Sequence, residues 1–147
     1  MAVSTHHLLS SLRVEAYDFD PGSTDAVDVK WVDMQEFSSF LCMFFRTVGT
    51  SALDTFKILA NAQSDGGGTD VIIKTHAVAT EPNLLGDWIF LECSAEEVGA
   101  LGDSNSEDLR YVTASCEFAT DSDEGVLIYV MGGAKFPRKD LSVDTIA

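Results

Sequence analysis

The sequence predicts an all-β domain, folded as an antiparallel β-sandwich or jelly-roll-like barrel with one short helix. Three observations lead to this prediction. Several segments of strand length are apolar throughout or alternate apolar with polar residues, and clusters of Gly, Pro, Asp and Asn separate them at short intervals. A single segment carries a helix-start signal. Together these features indicate roughly seven or eight strands in two layers.

The longest apolar run lies at residues 37–48, with the sequence Phe-Ser-Ser-Phe-Leu-Cys-Met-Phe-Phe-Arg-Thr-Val. We predict that it forms the central buried strand. The alternative is an amphipathic helix, but the apolar side chains would surround such a helix without leaving it a polar face. Aromatic residues also favour the pleated surface of a sheet. The run is too short to cross a bilayer, and Ser38, Ser39 and Arg46 interrupt it with polar side chains.

Two strands are predicted before this run. Residues 13–19 mix apolar and charged side chains, and Pro21 with Gly22 supplies the turn that closes them. Residues 26–32 alternate more strictly, so that three apolar side chains share one face while Asp28 and Lys30 share the other. This second segment has the clearest strand pattern in the chain.

Further strands are predicted at residues 55–62, 71–80 and 88–93. Residues 63–70 join the first two as a flexible hairpin loop, because three successive glycines give backbone freedom and nothing to pack. Residues 81–87 break the pattern before the third strand.

One short helical turn is predicted at Ser94, because Glu97 follows at the spacing of a capping box. Val98 and Leu101 can then meet at i and i+3. The rest of the chain is predicted as a polar loop at residues 102–108, strands at 109–119 and 126–131, and an acidic turn at 121–125 between them.

The 147 residues make one domain, which we divide into an N-terminal arm at 1–12, a β-sandwich at 13–136 and a C-terminal tail at 137–147. The formal charge of −15 repels phosphate backbones and anionic headgroups, so direct binding to nucleic acid or membrane is not expected. The start of the chain lacks the pattern of a signal peptide, which predicts a protein made in the cytosol.

No motif for catalysis or for a cofactor is found. Gly66, Gly67 and Gly68 lack the Lys-Ser/Thr pair of a phosphate loop, and no Gly-x-Ser-x-Gly elbow occurs. His76 has no second ligand at metal-binding spacing, and the adjacent pair His6 and His7 lies in the predicted arm. We therefore expect no enzyme, no cofactor and no metal-binding residue.

Two further patterns indicate structural roles. Cys42, Cys93 and Cys116 are odd in number and widely spaced, which predicts three buried thiols without a disulfide or zinc site. The acidic turn begins like a calcium loop with Asp121 and Asp123, but apolar residues follow where further oxygen ligands belong. A solvated hairpin is favoured there, and a weak hydrated cation site is the alternative.

The C-terminal segment is the candidate interaction site. It concentrates three of the nine basic residues in five positions, and Pro137 ends the preceding strand because it cannot donate to a ladder. Its apolar residues are too few for a core of their own and need a partner surface; a frayed terminus is the alternative. The candidate residues are Lys135, Phe136, Pro137, Arg138, Lys139, Leu141, Val143 and Ile146.

The order of these features resembles the small all-β virion proteins of tailed bacteriophages, the capsid decoration or cement proteins encoded near the major capsid protein. The resemblance rests on the Val-Asp-Met-Gln-Glu-Phe step at residues 32–37, the glycine-rich hairpin, and Glu-Cys-Ser-Ala-Glu-Glu at 92–97. Phe136, Pro137 and Arg138 complete it before the short tail. The sequence departs from the pattern in its acidity and its three cysteines.

The resemblance implies a non-enzymatic protein on the outer capsid surface of a virion, assembled in the host cytoplasm. Its implied partners are the major capsid protein and further copies of itself, most simply a homotrimer over a local threefold position. The many aromatic and Met side chains agree with a homo-oligomer, since interfaces use such residues at their cores. Alternatives are a phage tail or head–tail joining subunit and, from another class, an intracellular ligand-binding β domain.

Overall fold

The computed structural model describes the following residues of the chain: 12–19, 27–28, 30–51, 53–76, 85–118, 120 and 123–135. These residues form nine strands and one helix, and the predicted all-β class is confirmed. The strands are β1 (Leu12–Phe19), β2 (Val27–Asp28), β3 (Val32–Asp33), β4 (Ser39–Val48), β5 (Leu53–Asn61), β6 (Val71–His76), β7 (Trp88–Ser94), β8 (Tyr111–Phe118) and β9 (Glu124–Gly132); helix α1 is Ala95–Asn105.

The strands form two antiparallel sheets, in the orders β1-β9-β4-β7 and β2-β8-β5-β6, and β3 also pairs with β8. The pairs β5–β6, β4–β7, β2/β3–β8 and β1–β9 enclose one another along the sequence. The chain is therefore one long hairpin of nested pairs, rolled so that alternate pairs fall in opposite sheets. This arrangement is that of a jelly roll.

An aromatic core fills the space between the sheets. Phe44 of the first sheet contacts Phe56 and Phe118 of the second, with ring centroids 6.5 and 5.6 Å apart. Tyr129 packs edge-on against Phe40 at 4.9 Å and accepts a hydrogen bond from the backbone N–H of Ala114, 2.9 Å away. The predicted central strand is confirmed, because β4 is an interior strand with Phe40, Cys42 and Phe44 fully buried.

The prediction of one continuous strand at residues 26–32 is wrong. The segment forms two short strands, β2 and β3, and Lys30 and Trp31 between them belong to neither. Trp31 instead lies against the glycine-rich loop, where a Cβ on Gly66 would come within 2.7 Å of the indole Nε1. Trp31 thus contacts this loop at the point where the pairing with β8 is interrupted.

The helix is longer than the single turn predicted. The capping box is confirmed, because the backbone N–H of Glu97 donates to the Ser94 hydroxyl and that of Ser94 donates to the Glu97 carboxylate. The helix then continues to Asn105 through residues of low helix propensity, and buries Val98 and Gly102. Tertiary packing outweighs propensity here: Gly102 lies so close to the Glu107 carbonyl that a Cβ would be 2.6 Å from it.

A buried ion pair joins the end of β4 to the start of β9. The Arg46 guanidinium donates to the carboxylate of Asp123 at 2.6 Å, and both side chains are almost fully buried. The Ser51 hydroxyl and backbone N–H also donate to this carboxylate. The Arg46 guanidinium lies over the ring of Phe118, 5.4 Å from its centroid. Gly49, at φ +87°, leaves the room that the Asp123 carboxylate occupies.

Acid is expected to destabilise the domain. Burial acts to raise the pKa of Asp123, but the hydrogen bond from Ser51 and the charge of Arg46 outweigh it, so the pKa is lowered. The hydrogen bond from Arg110 likewise lowers the pKa of Asp33. Because the folded state holds these carboxylates ionised, their stabilisation is complete above the unfolded pKa of about 3.9 and is lost as pH falls through the lower folded values.

Urea unfolding across a pH series below about pH 5 measures this loss. The free energy of unfolding should fall steeply in the wild type. It should fall less steeply in Asp123→Asn, which has no carboxylate to protonate at that position. Equal slopes for the two proteins would show that Asp123 does not contribute to the pH dependence.

Candidate interaction surface

The outward side of the sheet β1-β9-β4-β7 is apolar over its whole width. In each strand the side chains that alternate with the buried ones point away from the core, and the strand registers place them in rows. We call this surface the outer face. Its apolar members are Val14, Ala16, Leu41, Met43, Phe45, Trp88, Phe90, Val126, Ile128 and Val130.

Three aromatic side chains form a ridge at one end of the outer face. Trp88 lies directly opposite Phe45 across the β4–β7 pair, and their rings stack with centroids 6.4 Å apart. Phe90 stacks on Trp88 from the same strand at 5.9 Å. Trp88 is 55% exposed and Phe90 48% exposed, although such side chains are usually covered. The aromatic ridge therefore projects a large apolar surface into solvent.

The other end of the outer face is hollow. Small residues meet there in one row, where Gly132 pairs with Ser39 and Ser39 pairs with Ser94. Leu12, Leu41 and Val130 form apolar walls, and the cavity has a volume of about 380 Å³. Glu97 lies at its rim, where it accepts a hydrogen bond from Lys74 at 2.5 Å. We call this cavity the hollow.

Charge is almost absent from the outer face. Among its residues with described side chains, the ionisable groups are Glu92 on the edge strand β7 and Glu124 at the start of β9, and Glu97 lies at the rim of the hollow. This contrasts with a chain that carries 24 acidic residues and a net charge of −15. A contiguous apolar surface of this size on an acidic protein is typical of a surface that another molecule covers.

The sequence indicated this surface only in part. Residues 37–48 were interpreted as the central buried strand because large apolar side chains occupy both faces of the run. One face does lie in the core, but Leu41, Met43 and Phe45 lie on the outer face. Apolar side chains on both faces of a strand indicate that both faces are covered. The second face can be covered either by another layer of the same domain or by a layer that belongs to another molecule.

Of the predicted interaction segment, Lys135 lies within the described residues. Its backbone N–H donates to the Glu36 carbonyl at 2.9 Å, and its ammonium group lies 3.4 Å from the Met34 carbonyl. The remaining candidates, Phe136, Pro137, Arg138, Lys139, Leu141, Val143 and Ile146, fall outside the described residues. The same holds for the predicted arm up to residue 11. Hydrogen bonds therefore hold Lys135 to the domain.

The other candidate groups are buried in the core or engaged in an ion pair. Cys42, Cys93 and Cys116 are free and buried, as predicted, and burial raises the pKa of the Cys93 thiol to about 12. The Asp123 carboxylate points inward to Arg46, which removes the inner ligand of the cation site considered for the acidic turn. Within the described ranges, no group of three or more His, Cys, Asp and Glu side chains is placed to hold a metal ion.

A second cavity, of about 160 Å³, lies beside β1 and contains charged side chains that pair with one another. Glu15 accepts from Lys30 at 2.7 Å and forms an ion pair with Arg13, while Asp33 pairs with Arg110. Among the helices in the part of the chain that the structure covers, none has the length and apolar character needed to cross a membrane.

Comparison with known proteins gave distant likenesses in structure. No family model and no curated protein matches the chain. The SPBc2 prophage-derived protein YomS has a TM-score of 0.46 at 11% identity, over 82% of this chain and 95% of its own. Chains of the infectious bursal disease virus Gx and Gt strains have TM-scores of 0.40 and 0.37 at 16% identity. This chain spans 33% of each viral chain. At such scores, the likeness carries no argument about function.

Proposed function

We propose that this protein is a structural component of a virus particle of the tailed-bacteriophage kind, bound to the outer surface of the head as a decoration protein. In this role it performs no catalysis and uses no cofactor. It binds the major capsid protein and further copies of itself, a trimer if it follows the proteins that its sequence resembles. Assembly takes place in the host cytoplasm, and the protein then remains on the virion.

The observation that carries the proposal is the outer face. Trp88 and Phe90 each expose about half of their surface on a sheet face that is mostly apolar, within an acidic domain. An exposed face of this kind promotes aggregation unless a specific neighbour covers it. A protein that spends its functional life in an ordered assembly supplies such neighbours.

The tail supplies the contact with the capsid in this proposal. Lys135 is held to the domain by its hydrogen bonds to Glu36 and Met34, and the basic residues Arg138 and Lys139 follow it closely in the sequence. Their charge is opposite to that of the domain, and charge pairs of this kind set orientation and association rate more than affinity. The apolar residues of the tail can then bind a groove on the capsid subunit.

Deletion of residues 138–147 tests this assignment. The truncated protein should retain the unfolding midpoint of the full chain, because no described contact is removed. It should bind purified heads more weakly, and the remaining binding should depend less on salt, because two cationic groups are lost. Sedimentation of heads with bound protein measures occupancy at each salt concentration.

Two matched variants separate the contributions within the tail. Arg138→Gln with Lys139→Gln removes charge and should reduce the salt dependence. Leu141→Ser with Ile146→Ser removes apolar surface and should lower occupancy at every salt concentration. Full occupancy with unchanged salt dependence in the truncated protein would mean that the tail is a frayed end.

The hollow favours one alternative from another class, a ligand-binding β domain. Its volume lies at the lower end of the range for small-molecule sites, which begins at about 300 Å³. Two of its polar groups, however, Ser94 and Glu97, are engaged in structural contacts. Glu97 caps the helix through Ser94 and pairs with Lys74, which leaves few groups free to orient a ligand. We therefore assign the hollow to contact with protein.

A further inference from the structure

We propose that the outer face binds the outer face of a second copy of this chain, with a two-fold axis lying between the sheets and running across their strands. This inference deepens the proposed function, because it names the partner of the apolar surface, and it rests on that function only for its role on the particle. The pair itself is a property of the protein in solution.

The two ends of the outer face have complementary shapes. A two-fold axis across the strands, above Cys42, reverses the strand direction and keeps each strand opposite its own copy. The ridge residue Phe90 of one copy then faces Glu92 of the other. The ridge residues Phe45 and Trp88 face Ser39 and Ser94 in the hollow, and Val126 beside the ridge faces Gly132. Large side chains meet small ones at the last three positions.

The hollow has room for the ridge. A cavity of roughly 150 Å³ holds one benzene-sized ring, so about 380 Å³ accommodates the two fused rings of one indole. Gly132 and Ser39 are paired on adjacent strands and have little or no side chain. The floor of the cavity is therefore formed by backbone and lies below the apolar walls. An aromatic side chain that inserts there is enclosed as an interface anchor.

The area of the outer face comes close to what a specific pair requires. Four strands about 4.8 Å apart and seven residues at about 3.4 Å each span a plane of about 450 Å². Two such faces bury about 900 Å² when they are treated as flat, without the additional area of projecting side chains. This is close to the lower limit of about 1,000 Å² for a specific interface. Face-to-face packing of two sheets about 10 Å apart is also a common arrangement of layers.

The charge distribution allows this one contact between identical acidic molecules. Two copies that each carry −15 repel one another over most of their surfaces. The described ionisable groups of the outer face are Glu92, on the edge strand β7, and Glu124, at the end of the sheet where β9 begins, and solvent still reaches both at the rim of a pair. Added salt should therefore strengthen the pair by screening repulsion, whereas it weakens binding through the basic tail.

Sedimentation equilibrium of the full chain tests the pair. The wild type should form a dimer whose dissociation constant falls with added salt. Trp88→Ala removes the ridge and should raise the dissociation constant at least about 30-fold, as expected for an aromatic anchor. Ser39→Trp fills the hollow without removing any apolar side chain and should have a similar effect.

Ile72→Ala is the matched control. Ile72 is an exposed apolar residue on β6 of the other sheet, at 52% exposure, and its loss should leave the dimer unchanged. Thermal unfolding of each variant separates loss of pairing from loss of fold. A wild type that stays monomeric, forms a trimer, or loses its association equally in Ile72→Ala would overturn the two-fold pair.

Trp88 emission gives a second measurement on the same surface. In a Trp31→Phe background Trp88 is the remaining tryptophan of the two in the chain. Its emission should shift to shorter wavelength and become less accessible to quencher as concentration rises. Protection of Trp88 in a monomer would instead mean that another segment of the same chain covers the ridge, and would overturn the proposal.

Binding to heads then separates this inference from the proposed function. A protein that dimerises through the outer face but does not bind heads would support the proposed dimer and contradict the proposed role on the virion. A monomer in solution that binds heads, with Trp88 protected only there, would keep the virion role and assign the outer face to the capsid. Dimerisation together with binding supports both.

Discussion

Replacement of Arg46 by Met is expected to lower the free energy of unfolding by about 3–5 kcal/mol, the loss typical of breaking a buried ion pair from one side. The variant keeps a side chain of similar length but leaves the buried Asp123 carboxylate without its cation. The remaining donors to that carboxylate come from Ser51 and Thr120 and cannot neutralise its charge. Urea unfolding at neutral pH measures the loss.

Lys74→Met provides the matched control. Lys74 also pairs with a carboxylate, that of Glu97, but both side chains of this pair are well exposed. Exposed pairs contribute at most about 1 kcal/mol, so this variant should unfold close to the wild type. A double variant, Arg46→Met with Asp123→Leu, should recover part of the loss, because it leaves no buried charge. Equal losses in the free energy of unfolding for Arg46→Met and Lys74→Met would contradict the expectation that the buried pair matters more than the exposed one.

Phe44→Ala is expected to cost about 3–5 kcal/mol, because it opens a cavity where the two sheets meet. The Phe44 ring is fully buried and contacts both Phe56 and Phe118 of the opposite sheet. It also fills the space above Gly125, where an added Cβ would lie 2.2 Å from the ring. The surrounding backbone is fixed on both sides by ladder pairing, so the cavity can collapse only in part.

Phe45→Ala, one position along the same strand, should behave differently. Phe45 lies on the outer face and stacks on Trp88, so its truncation should cost the isolated domain about 1 kcal/mol. Its larger effect should be on pairing, which requires the ridge. Urea unfolding at low protein concentration and sedimentation at high concentration measure the two effects. Similar stability losses for both variants would mean that Phe45 belongs to the core.

The two variants also show what the sequence could predict. Strand positions follow from local alternation and turn residues, and they were predicted correctly for β4, β5, β7 and β9. The identity of the core strand, β4, was also predicted correctly. Interruption of residues 26–32 could not be predicted, because it depends on a contact between Trp31 and a loop more than thirty residues away. The full length of α1 depends in the same way on close packing of Gly102 against Glu107.

The candidate site was predicted less completely than the fold. The sequence predicts an interaction site in the C-terminal segment, because charge clusters are visible locally, and Lys135 is its one residue within the described part of the chain. The outer face combines residues from four strands that are widely separated in sequence, and its ridge and hollow depend on strand register. Register is set by tertiary pairing, so no local pattern indicates that Trp88 lies opposite Phe45.

Nesting of the strand pairs has a consequence for the order of folding. Leu12 pairs with Gly132, so the sheet that bears the outer face contains the first and last described strands of the chain. Such distant pairings close late and make folding slow, in milliseconds to seconds for β-rich domains. A chain still on the ribosome lacks β9, and without it β1 and β4 have no common neighbour. The complete outer face thus exists only after synthesis has passed residue 132, which delays association between copies until each has folded.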